Sequence, residues 1–231
     1  MAQAGMHGMV GMAVRKIAGR KEWLFLGILL GSFIPDMDNL GVAFATLTKM
    51  PIAAGAGGIH RTLMHSVFFM VEVIAVFYLI GWWKKDGRWM NLGLGLGLGM
   101  LLHSLLDLLI WFNGVALFWP IPIWINLWAN FSKPDWYEPF MKFMDPAEFL
   151  FFGLYLWALG TWAHKFSTDS DFMGKHRMWM WLEFALFVIF TPLAFIMTKG
   201  FLTIFGAVYL FSIFMTFFVT IRMRKTVEAA A

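Results

Sequence analysis

"GLGLGLGMLLHSLLDLLIWF", residues 93–112, is long and apolar enough to cross a membrane, yet it carries His103 and Asp107 one helical turn apart. As a helix, about 20 residues cover the ~30 Å of a hydrocarbon core. The glycines at 93, 95, 97 and 99 need a reason, since each costs a helix ~1 kcal/mol relative to alanine. Small residues four apart let membrane helices approach closely. The row Gly95, Gly99, His103, Asp107 keeps that step. It predicts one helix packed tightly on the glycines and polar partners beside the His–Asp pair.

The rest of the chain has the same character. Of its 231 residues 60% are hydrophobic and 14% charged, and the mean hydropathy is +0.70. Soluble domains run nearer half apolar and about a quarter charged, so the expected fold class is all-α, a polytopic helical bundle in a membrane. Thirteen Trp and 26 Phe suit bilayer interfaces and lipid contact. Without cysteine there is no disulfide or thiolate chemistry, and any metal needs His and carboxylate ligands. The net charge of +4 is spread over short loops, which fits membrane topology better than nucleic-acid binding; none is expected. No signal peptide is expected either, because the basic residues of "MAQAGMHGMVGMAVRK" follow the apolar stretch.

Spans are expected at Thr62–Trp83, Trp89–Phe112, Phe172–Thr198 and Gly200–Ile221, with a fifth at Glu148–His164. Two shorter runs, Met6–Val14 and Trp23–Ile34, flank the basic stretch "RKIAGRKE" and read as a pair of short membrane helices. This divides the chain into a metal-site membrane domain over 1–146 and a three-helix extension over 147–231. Lys84, Lys85 and Arg88, then Lys165, Lys175 and Arg177, then Arg222, Arg224 and Lys225 all fall on one side when the spans alternate. That side is expected to be cytoplasmic, with the C-terminus there. The connection Asn113–Pro146 then lies outside, its "WPIPIWINLW" along the outer interface.

Depth arithmetic collects the polar residues. Asp107 stands ~27 Å above Trp89 at about 1.5 Å per residue, near the outer surface. His60, Arg61 and His65 begin the preceding span at the same level. If Arg15–Lys21 is a cytoplasmic turn, Met6–Val14 descends to it and Trp23–Ile34 climbs back. His7 and Asp36 then finish ~20 Å above that turn. Asp36 and Asp38, after Pro35, otherwise read as caps of the Asn39–Leu47 segment. His164 and His176 fall on the opposite side and read as interfacial anchors, and Glu72 and Glu183 as polar contacts between helices.

The ordered set His7, Pro35-Asp36-x-Asp38, His60-Arg61-x-x-x-His65-Ser66 and His103-x-x-x-Asp107, then Gly114 and Trp119-Pro120, resembles the YdjM-type membrane-bound metal-dependent hydrolases of the bacterial inner membrane. The resemblance covers about residues 1–120. It implies a metal site made of His7, Asp36, His60, His65, His103 and Asp107. Ile110 stands where the family often has Thr, Thr62 where it commonly has Gly, and the spacing to Gly114 is one residue longer.

The expected activity is hydrolysis by water that one or two divalent ions, zinc by ligand chemistry, activate at the outer face. Asp38 is the expected general base and Arg61 the residue stabilising developing negative charge, on a phosphoester or lipid headgroup. Membrane lipids are the expected partners, with other membrane subunits if the chain is instead a non-catalytic accessory protein that keeps the site. A haem- or pigment-binding protein is the third reading; the carboxylates count against it.

Overall fold

The computed structural model describes residues 4–19, 21–50 and 59–231, with backbone alone at Thr46 and Leu47. Arg20 of the basic stretch lies outside the described residues. In chain order the helices are α1 (Ala4–Ala13), α2 (Arg15–Ala18), α3 (Leu24–Gly31), α4 (Asn39–Leu47), α5 (Val67–Lys84), α6 (Gly87–Ile110), α7 (Tyr137–Phe166), α8 (Met173–Ile196), α9 (Phe201–Arg222) and α10 (Arg224–Ala230). No strand occurs among the described residues beyond one antiparallel bridge, Val115 with Ile125. The fold is the all-α membrane bundle that the composition predicts.

Glycines set the register at its centre. A Cβ on Gly95 or Gly99 would strike backbone atoms of α3, and one on Gly27 would lie 2.5 Å from the Leu92 carbonyl oxygen. The α3 and α6 backbones therefore touch, running parallel. The intervening glycines serve a second neighbour: Gly93 and Gly97 abut Phe77 and Ile74 of the antiparallel α5. The alternation of glycine and leucine thus supplies two four-residue rows, one for each flanking helix. Only the first row was expected.

Among the described residues five helical stretches are long and apolar enough to cross a membrane, and their membership differs from expectation. One is Leu24–Ala45, in which the chain passes through a 3₁₀ turn at Pro35–Asp38 into α4 rather than stopping at Ile34. Proline is tolerated there because it opens a turn, where its missing N–H leaves no helical carbonyl unpaired. α7 is not among the five. It begins at Tyr137, well before Glu148, and takes Pro139 into its first turn and Pro146 into its interior. The expected outer connection therefore ends sooner, and the division at 146/147 falls inside a continuous helix.

The basic clusters meet at one end of the bundle. Trp23 lies 5.3 Å from the Trp89 ring, Arg88 stacks on Trp23 and Arg15 on Trp162. Arg222 pairs with Asp171, and Glu228 of α10 accepts the Trp23 amide at 2.9 Å. Burial raises the Glu228 carboxyl above its ordinary range. The upper ends of α1, α3 and α6 converge at the other end.

Candidate metal centre

Each polar residue arrives on a different support. His7 stands in the second turn of α1, whose glycines let it nest between α3 and α7: a Cβ on Gly5 would press on Glu148 and Phe152 backbone, and one on Gly8 on Phe33. Asp36 and Asp38 come from the 3₁₀ turn that follows α3. His65 comes from a second 3₁₀ turn, Leu63–His65, just before Ser66 caps α5 by accepting the Phe68 amide. His103 and Asp107 share the inward face of α6.

The segment carrying Arg61 and His65 is clamped from above. Ala116 donates to the Arg61 carbonyl at 3.0 Å, Val67 to the Leu117 carbonyl at 2.8 Å, and the Ser66 hydroxyl to the Trp119 carbonyl at 2.7 Å. Arg61 itself takes a left-handed backbone, φ 63°, which is strained for a side chain of its size. Its amide donates to Asp38 Oδ2 at 2.9 Å, which holds the conformation in place.

Seven of the eight side chains are buried: His7, Asp36, Asp38, Arg61, His65, His103 and Asp107. His7 Nε2 lies 3.1 Å from Asp107 Oδ1, His65 Nε2 3.6 Å from Asp107 Oδ2, and His103 Nε2 3.7 Å from Asp36 Oδ1. Arg61 Nε approaches Asp107 Oδ2 to 3.2 Å. The His7 and His103 rings stack with centroids 3.6 Å apart. Two triads, His7–His103–Asp107 and Asp36–His65–His103, each bring three ligand atoms within 4.8 Å of one another.

These distances fit a cation. Two ligand atoms each about 2.1 Å from a tetrahedral ion stand ~3.4 Å apart, and the three nitrogen–oxygen spacings bracket that value. Three carboxylates face one guanidinium, so with neutral imidazoles the cluster carries an excess of negative charge that a divalent ion offsets. His103 is already oriented as a ligand. Its Nδ1–H donates to the Ser32 carbonyl at 2.8 Å, which leaves the Nε2 lone pair pointing inward. That nitrogen has no hydrogen-bond partner, nor has His7 Nδ1. The two triads share His103, and with its Nδ1 engaged only Nε2 is left to serve either.

His60 and Asp38 stand to one side of it. His60 belongs to neither triad. Its Nδ1 pairs with Asp38 Oδ1 at 2.8 Å, and its side chain is 15% exposed. Asp38 Oδ2 accepts the Arg61 amide and lies 3.5 Å from His65 Nδ1. Both Asp38 oxygens are thus engaged in holding neighbours.

Two contributions had no signal in the sequence. The Ser32 carbonyl is backbone, and Glu148, from beyond the motif region, accepts the Gly5 amide at 2.8 Å at the start of α1. His176 differs from expectation: it is buried, donating from Nε2 to the Leu156 carbonyl between α8 and α7, whereas His164 is exposed. Glu183 is buried facing Ser212 of α9, and Glu72 lies exposed on α5.

A family model described as YdjM inner membrane protein matches residues 1–225, and the chain belongs to that family. No curated protein and no solved structure matches it.

Proposed function

We propose, from membership of this inner membrane family and the geometry above, that the protein is a metal-dependent hydrolase with one divalent ion per chain, zinc by ligand chemistry. The observation that carries it is the set of nitrogen–oxygen spacings from 3.1 to 3.7 Å among buried histidines and aspartates. His7, Asp36, His65, His103 and Asp107 would hold the ion, which supplies Lewis acidity and activates water. Asp38 orients rather than abstracts: its oxygens fix the His60 ring and the Arg61 backbone. His60 is the proton-handling side chain, since its Nε2, though buried, has no hydrogen-bond partner and its side chain alone in the cluster is partly exposed. Arg61 anchors on Asp107 through Nε and leaves Nη1 unpartnered, in position to take negative charge that develops on a substrate oxygen.

The charge pattern supports a cytoplasmic basic end, and with it a cytoplasmic C-terminus, and a site that faces outward. Haem is disfavoured, because rings stacked at 3.6 Å leave no room for a macrocycle between them. Elemental analysis of the purified protein, combined with phosphate release from phosphoesters before and after chelation, tests the reading. Copurified metal with chelator-sensitive turnover is expected. Metal without turnover on any phosphoester would leave the accessory-subunit reading in its place, and a metal-free protein would reject the centre altogether.

A further inference from the structure

We propose that the site takes a phosphate-headed amphiphile that reaches it sideways from the lipid, past α4. This deepens the hydrolase reading and rests on it for the chemistry, though the binding can be tested apart.

The way in comes first. The cluster is sealed except at His60. Ile59, next to it, packs on Gly41 in the first turn of α4. From that helix Leu40 and Phe44, four apart and therefore on one face, are 48% and 63% exposed. Leu63 is exposed on the other side of His60, and Trp119 and Ile123 are exposed in the connection above. The segments that flank the partly exposed His60 thus present apolar side chains outward. α4 also belongs to the Leu24–Ala45 stretch, which is apolar enough to lie within the membrane. A soluble anion would have to shed its water along such a border, which is costly. An amphiphile leaves its tail there.

Inside, the chemistry asks for an anion. Arg61 Nε lies 3.2 Å from Asp107 Oδ2 as an ion pair, and neither Nε nor Nη1, both buried, has a hydrogen-bond partner. A guanidinium edge left open beside a cation site recognises phosphate oxygens. Hydrolysis there forms a bond from the water oxygen to phosphorus, breaks the phosphorus–oxygen ester bond, and sends the water proton to the leaving oxygen. Headgroup at Arg61 and tail on Leu40 and Phe44 is the pose that satisfies both surfaces.

The probe is phosphatidate with a diazirine in its tail, diluted into phosphatidylcholine nanodiscs holding the full-length protein. Illumination should concentrate adducts on Leu40, Phe44 and Leu63. Arg61→Gln should lower them about tenfold, as the loss of a charge-assisted hydrogen bond implies. Phe44→Ala, which trims the exposed face without placing a charge in the membrane, should lower them as well. Unlabelled phosphatidate should compete, and glycerol phosphate should not. Adducts spread evenly over α5 and α8, or unchanged in both variants, would overturn the proposal. So would equal competition by glycerol phosphate, which would make a soluble phosphate the ligand. Phosphate release in the same samples separates the two claims: adducts on α4 without release keep the lipid site and reject the hydrolase.

Discussion

Asp107 is the residue on which the centre turns. One oxygen meets His7 and the other meets His65 and Arg61, so a single carboxylate ties two elements, α1 and the segment carrying Arg61 and His65, to α6. Removing one partner of a buried charged set leaves the others uncompensated, at about 3–5 kcal/mol. Asp107→Ala should therefore abolish copurified metal and lower the melting temperature of chain purified without metal, as elemental analysis and a thermal scan in detergent would show. Full metal occupancy in that variant would exclude Asp107 as a ligand. Asp38 predicts a graded result. Asp38→Asn keeps one acceptor but weakens the hold on His60 and the Arg61 amide, and loss of such an orienting partner typically costs about 10–100-fold in metal affinity. Competition against a chelator of known affinity measures it, and unchanged affinity would remove the orienting role.

Among the elements, the contact of α3 with α6 makes the sharpest forecast. Gly99→Leu drives a side chain into the Ile28 carbonyl and Gly31, where backbone rather than a movable side chain lies in the way. The expected loss is about 1–3 kcal/mol or more, with displacement of Ser32 and hence of His103. Gly206 in α9 is the control, because a Cβ there meets nothing within 4 Å. Gly206→Ala should gain up to about 1 kcal/mol from helix propensity. Thermal unfolding in detergent reads both signs; equal effects would dismiss the close approach as irrelevant. A second element, α7, reaches the site through α1. Glu148→Leu removes the acceptor of the Gly5 amide and should loosen His7, lowering metal affinity, whereas Glu148→Gln keeps an acceptor and should restore it. Failure of the glutamine to rescue would point to charge rather than to the hydrogen bond.

At the scale of the whole molecule, orientation is the open forecast. Every described basic cluster lies at the end away from the site, and short basic loops stay in the cytoplasm. With no native cysteine in the way, a cysteine at the exposed Ser132 should react with an impermeant thiol reagent in intact cells, and one at the exposed Lys225 only after lysis. The reverse pattern would turn the protein over and move the site to the cytoplasmic face.

The sequence by itself determined the membrane bundle, because hydropathy and span length are local sums that any packing must respect. It also brought His7, Asp36, His60, His65, His103 and Asp107 to one level, since helical rise converts residue number directly into height. Height is one coordinate of three. Which side chains meet at that height depends on the azimuth of each helix, and only tertiary packing fixes it. The sequence could not show that Asp38 faces His60 and leaves the triads to others. Nor could it show that Pro35 continues a span, since proline reads locally as a stop. The second glycine row needed α5 in place before its purpose was visible, and the Ser32 carbonyl and Glu148 act through partners far away in the chain. Local chemistry chose the groups, and the contact of glycine backbones brought them together in two triads.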